Sequence, residues 1–327
     1  MKKYLVTGGT GFVGSAVVKR LVKEGYSIRV LDNNSRGSAT RLADVIDKIE
    51  LVQADIRDPV AVAEACKGVD GVIHFAYING TVFFYTKPEI VLDVGVKGMT
   101  NVLDACIKEK IKELFVASSS EVYQTPTKVP TDENVPLSVP DPLNPRYSYG
   151  GGKIIDELLT INFGRKYFDR AVIFRPHNIY GPDMGWEHVI PQFVVRMKKI
   201  CETNKNKKVD FPIQGTGKET RAFCFIDDFV EGFMKMLENG KHLEIYNIGT
   251  MEEISMENVA HEVGNYFGKD VNIVPGESPK GGTPRRCPDI TKLKGLGYLP
   301  KIYFKEGLKT TIQWYDRNFD KRPETYK

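Results

Sequence analysis

A short β-rich run that passes straight into glycines at i, i+3 and i+6 leaves a chain few ways to fold, and residues 3–14 read KYLVTGGTGFVG. Tyr4–Thr7 favours a buried strand. Gly8, Gly11 and Gly14 then allow a tight turn that brings backbone N–H groups, at the start of the following helix, close to a pyrophosphate. The spacing alone is weak, since a chain this glycine-rich gives about 0.25 such triplets by chance. The strand before it and the helical pattern after it supply the missing context.

That context continues along the chain. Lys3–Thr7, Ser27–Leu31, Ile49–Gln53, Gly71–Phe75, Lys112–Ala117 and Arg170–Phe174 read as buried strands, separated by longer amphipathic stretches. This β-α-β alternation predicts an α/β fold of Rossmann type, a doubly wound parallel sheet with its ligand crevice beyond the carboxyl ends of the strands. After Pro176 the pattern loosens into shorter strands (Val209–Ile213, Ala222–Ile226, Glu244–Ile248, Val271–Val274) between helices, which reads as a smaller α/β lobe. The expected division is residues 1–176 for the dinucleotide and 177–327 mainly for the substrate, with room for segments of the second part to return to the first. The proline-rich stretch Thr125–Pro145 reads as a loop beside the crevice.

The second strand runs into Asp32, whose carboxylate is placed to accept hydrogen bonds from an adenosine ribose, the arrangement that suits NAD. Arg36 nearby would tolerate a 2′-phosphate and keeps NADP open. Asp55 follows the third strand, where it serves either the adenine end or the cap of a helix before Pro59. Phe12 and Val13 in the turn, and Ile56 and Ala76 after the third and fourth strands, complete the expected cofactor set.

Composition narrows the partners. Forty-six Lys and Arg against 42 Asp and Glu give a net charge of only +4, too small and too dispersed to call for a nucleic acid. The five cysteines lack any CxxC pair, so neither a disulfide framework nor a metal site is expected, and a reducing cytoplasm fits. The apolar run at the amino terminus is too short for a signal peptide, and no 18 apolar residues run together, so no membrane partner is expected.

The reacting groups come next. Tyr149 and Lys153 lie four apart and share a face if the segment is helical. About one such pair would arise by chance, so position has to carry the argument. Ser118-Ser119-Ser120 follows the fifth strand and sets hydroxyls in the crevice, where a substrate alcohol could bridge Ser119 and Tyr149. A phenol must drop by roughly 3 pKa units to act as a base at neutral pH, and an adjacent ammonium together with a positive nicotinamide favours phenolate. Lys153 supplies the ammonium.

With those residues in view, TGGTGFVG at 7–14, SSSEVY at 118–123, YSYGGGK at 147–153 and RPHNIYGP at 175–182 resemble the extended short-chain dehydrogenase/reductases of the nucleotide-sugar epimerase/dehydratase type. The resemblance spans nearly the whole chain. It implies that Tyr149 is the base, that Lys153 lowers its pKa and holds the nicotinamide ribose, and that Ser119 hydrogen-bonds the reacting hydroxyl. It further implies that Ser120, Asn178, Val189, Arg221 and Arg286 hold a nucleotide-diphosphate sugar, and that the protein is a homodimer. Guanidinium forks suit phosphate oxygens.

Glu121, two residues after Ser119, is the residue that separates subclasses. Ser120-Glu121 resembles the UDP-glucuronate decarboxylases, as does RRCPDI at 285–290, whereas the 4,6-dehydratases carry Asp-Glu there. Three stretches depart from the common pattern: Gly95 where many members have Asn, His74-Phe75-Ala76-Tyr77 where HLAA is usual, and Gln124 in place of glycine. The expected activity is NAD-dependent epimerisation through a transient 4-keto sugar; the alternatives are a decarboxylase or dehydratase-like enzyme and, remotely, a non-enzymatic NAD binder. His177 and His188 are read as structural or surface residues, Trp186 as packing and Lys205–Lys208 as a solvated loop.

Overall fold

The computed structural model describes residues 1–278 and 281–324. Its centre is a seven-stranded sheet built from β1 (Lys3–Thr7), β2 (Ser27–Asp32), β3 (Ile49–Gln53), β4 (Gly71–His74), β5 (Glu113–Ala117), β6 (Arg170–Pro176) and an edge strand, Ile245–Ile248. The order is edge strand, β6, β5, β4, β1, β2, β3, with every pair parallel. The expected Rossmann-type doubly wound sheet is therefore present.

Its central strands are apolar almost without interruption because helices cover both faces. On one face, α1 (Phe12–Lys23) buries Val17, Val18 and Leu21 against Val6, Val30 and Phe115. On the other, α2 (Pro59–Cys66) and the helix Gly98–Lys108 bury Val62, Val102 and Leu103 against Leu5, Val72 and Leu114. The first core runs on without a break into Phe193, Phe211 and Phe229, so the two parts of the chain share one interior.

Of the expected strands in the second part, one returns to the large sheet and another is split. The segment Glu244–Ile248 pairs as Ile245–Ile248 with β6, where the large sheet still offers a free edge. The run Ala222–Ile226 is split: Thr220–Ala222 joins Glu253–Ser255 and Arg285–Arg286, while Cys224–Phe225 pairs with Ile179–Tyr180. Ile226 instead opens the helix Ile226–Asn239, whose first turn carries Asp227 and Asp228, acidic groups that a helix amino terminus favours. Among the described residues no helix is long and apolar enough to cross a membrane.

Candidate active site

A cleft of about 870 Å³ opens beyond the carboxyl ends of β1 to β6. It is lined by every residue that the sequence marks as catalytic, cofactor-binding or substrate-binding, except Val189 and Arg221. Val189 is instead the first residue of the helix Val189–Thr203 and packs on the core. Arg221 lies on the strand Thr220–Ala222, where its guanidinium donates to the Thr220 carbonyl at 2.7 Å.

The glycine turn has the shape a dinucleotide requires. Gly8 sits at φ +72°, and a Cβ there would come within 2.6 Å of the Ala76 nitrogen. A Cβ on Gly14 would lie 2.2 Å from the Gly8 carbonyl oxygen, so the helix can approach the turn only without a side chain. Gly11 caps α1 without a side-chain hydrogen bond and no acidic residue occupies the first turn, which leaves the positive helix end open to phosphate. Asp32 is held by the N–H groups of Thr10 (3.0 Å) and Asn34 (2.8 Å), each of its oxygens keeping a lone pair for a ribose hydroxyl.

Asp55 lines the same end of the cleft, where the Arg57 guanidinium at 2.8 Å holds its carboxyl down to about 2. It does not cap the helix before Pro59's first turn; Asp58 does, accepting from Val60 and Ala61. Arg36 is not free either, since its guanidinium pairs with Glu187 and lies 4.5 Å from the centre of the Phe83 ring.

At the other end of the cleft, the helix Tyr147–Tyr167 presents Tyr149 and Lys153 beside the Ser118–Ser120 turn. Burial pushes the Tyr149 phenol up, and a hydrogen bond with Ser119 pulls it partly back. The fall that base catalysis needs thus has to come from a positive charge brought into the cleft, which an oxidised nicotinamide supplies. Lys153 is almost wholly buried; its ammonium donates to the Ala117 carbonyl at 2.7 Å and the Asp156 carboxylate at 3.2 Å. Beneath the turn, Ser118 donates to Glu157, which is gripped by both arms of the buried Arg175 at 2.8 and 2.6 Å. This network fixes the loop on which Ser119 stands.

Glu121 receives a guanidinium N–H from Arg286 at 2.7 Å and has Arg146 at 3.9 Å. Burial opposes its ionisation, but Arg286, aided by Arg146 and Arg221, outweighs burial and holds the carboxyl below its ordinary value. Burial and Arg286 together push the Arg221 guanidinium down to about 10, placing it in the same electrostatic cluster. Arg146 and Asp156 were not singled out from the sequence, and Tyr77 stood out only as a departure from the family pattern. Arg146 sits directly before YSYGGGK and Asp156 lies at i+3 from Lys153, so helical spacing alone could have flagged both.

His177 is fully buried, hydrogen-bonded to Asn247 at 3.0 Å and pushed by burial down to about 3, a neutral structural group. His188 and Trp186 do line the cleft, and Trp186 also packs edge-on against Tyr315.

A model of the NAD dependent epimerase/dehydratase family matches residues 4–249. The chain belongs to that family. It is 32% identical to a UDP-N-acetyl-alpha-D-glucosaminuronate decarboxylase of Bacillus cytotoxicus, covering 96% of this chain and 98% of that protein. A putative UDP-glucose 4-epimerase of Methanocaldococcus jannaschii is 33% identical, over 96% and 98% of the two chains. Among solved structures, a dTDP-glucose 4,6-dehydratase from Streptomyces venezuelae with NAD bound superposes with a TM-score of 0.86 at 29% identity, covering 99% and 100%. This family member is thus an NAD-dependent enzyme, and its relatives include epimerases, decarboxylases and dehydratases of nucleotide sugars.

Proposed function

We propose that the chain is an epimerase that acts on a nucleotide-diphosphate sugar through a transient 4-keto intermediate. NAD, held at the Gly8–Gly14 turn and by Asp32, would supply the acceptor for hydride from the sugar carbon and the donor that restores it to the ketone. Ser119 and Tyr149 hold the reacting hydroxyl, Tyr149 takes its proton, and Lys153 balances the charge that develops on the phenolate. After the sugar turns in the cleft to present the other face of its carbonyl carbon to hydride, Tyr149 gives the proton back to the carbonyl oxygen.

The observation that carries this reading is the state of Glu121. A carboxyl held ionised by Arg286 cannot protonate a departing hydroxyl, and the Asp-Glu pair of the dehydratases is absent, which argues against elimination of water. One observation favours a second reading, a sugar decarboxylase: Arg146, Arg221 and Arg286 face the single Glu121, a surplus of positive charge that suits a carboxylated sugar as well as a diphosphate. Incubation with a panel of UDP-, dTDP-, GDP- and CDP-sugars, read by NMR and by carbon dioxide release, tests both. A C4-inverted product without gas supports epimerisation; stoichiometric carbon dioxide replaces it with the second reading.

Ile155 (40% exposed) and Leu158 (56%) project apolar surface from the helix Tyr147–Tyr167, which supports assembly as a homodimer. The free thiols of all five cysteines support residence in the cytoplasm.

A further inference from the structure

Lys153 is gripped from two sides by residues that the Tyr149–Lys153 spacing does not require. On one side is Asp156, one turn along the same helix and fully buried, with one oxygen 3.2 Å from the ammonium and the other without a hydrogen-bond partner among the described residues. On the other is Tyr77, whose ring centre lies 3.8 Å from the Lys153 nitrogen. The same ring meets Tyr149 edge-on at 5.2 Å, so one side chain touches both members of the reacting pair.

Tyr77 fits there only because two neighbours are glycine. A Cβ on Gly95 would come within 2.1 Å of the Tyr77 ring, and a Cβ on Gly152 within 2.1 Å of its hydroxyl oxygen. Gly95 lies in the π-helical turn Asp93–Lys97, a local widening of the helix where the ring tip is received. The three positions form one steric unit. The buried Tyr77 hydroxyl has no hydrogen-bond partner among the described residues, and burial raises its pKa, so the ring offers Lys153 an uncharged π face.

We propose that Tyr77 and Asp156 are positioning residues that keep the Lys153 ammonium charged and fixed behind Tyr149. A buried ammonium loses its proton unless a counter-charge faces it. The titratable groups around the pair are few. His74 lies below Lys153 and is pushed by burial to about 3, hence neutral; Glu157 is committed to Arg175; Glu121 faces Tyr149 and is committed to Arg286. That leaves Asp156 as the carboxylate in contact with Lys153 and the Tyr77 face as the remaining stabilising surface.

The role in catalysis rests on the proposed function of Lys153, but the test reads the ammonium itself and needs no sugar. Protein labelled with 13C at the lysine Cε, saturated with NAD, is titrated by NMR, and the Lys153 resonance is assigned by its loss in Lys153→Met. Asp156→Asn should lower the Lys153 midpoint by about one pH unit or more, and Tyr77→Leu by a smaller, measurable amount. Tyr77→Phe keeps the ring and should leave the midpoint where it is. Gly95→Asn, which drives the ring aside, should reproduce Tyr77→Leu and serves as the second probe should Asp156→Asn fail to fold. A residue that merely fills space would change the melting temperature and leave the midpoint alone. Folded Asp156→Asn or Tyr77→Leu with a wild-type midpoint overturns the proposal.

Discussion

Replacing Arg286 with Met leaves Glu121 without its dominant partner, and the structure sets the size of the loss. The Glu121 side chain is 20% exposed and Arg286 is 8% exposed, and they meet at 2.7 Å, so the pair is largely but not wholly withdrawn from water. Breaking a fully buried pair costs about 3–5 kcal/mol. Partial exposure and the remaining Arg146 at 3.9 Å bring the expected loss to roughly 2 kcal/mol. With 327 residues unfolding at ~2.1 cal/mol/K each, that is about 3 °C in Tm.

The pH dependence carries the sharper test. In the native protein the Glu121 pKa lies below its unfolded value, so its contribution is present above the unfolded pKa and is lost as pH falls through the folded one. Without Arg286, burial dominates and the folded pKa rises above the unfolded value, which reverses the sign. The Tm gap between wild type and Arg286→Met should therefore narrow from pH 7 to pH 4, as measured by calorimetry. Adding Glu121→Gln to Arg286→Met should recover part of the loss, because no unpaired carboxylate remains. A gap independent of pH, together with additive effects in the double variant, would refute the account of this pair.

Three further outcomes follow from the cleft and the core. Tyr149→Phe should slow NAD reduction by about 100-fold or more in single-turnover absorbance with an active sugar, and an unchanged rate removes Tyr149 as the base. Glu187→Gln should release Arg36 and raise NADP affinity by roughly 3- to 10-fold, with NAD affinity little changed, in a titration of both cofactors; unaltered NADP binding shows that Arg36 does not face the 2′ position. His74 and His177 are both pushed by burial to about 3, so the unfolded chain takes up their protons first. Stability should hold above pH 6.5 and fall between there and pH 3, by roughly 1.4 kcal/mol per pH unit for each histidine. Urea unfolding of His177→Gln at pH 7.5 and 5.5 should show a smaller difference than wild type, and an equal difference contradicts the assignment.

What was legible in the sequence rests on short-range physics. A strand running into Gly8, Gly11 and Gly14, an acid at the end of the second strand and a Tyr149–Lys153 pair four apart are set by backbone geometry and helical period, which act within a few residues. The same holds for the six strands of the first half, whose buried runs show in their composition. The second half was harder because its strands are short and take their partners from afar. Ile245–Ile248 pairs with β6 some 70 residues earlier in register, and Ala222–Ile226 breaks because its two ends belong to different sheets.

Only the tertiary structure decided the electrical state of the site. Glu121 meets Arg286 across 165 positions of chain, and that contact holds the buried carboxyl below its ordinary value where burial alone would raise it. Tyr77, Gly95 and Gly152 were visible one by one, two of them as departures from the family pattern, yet their complementarity exists only once three separate segments are packed together. Charge state and steric fit depend on neighbours in space, and a linear chain does not reveal which distant side chains those neighbours will be.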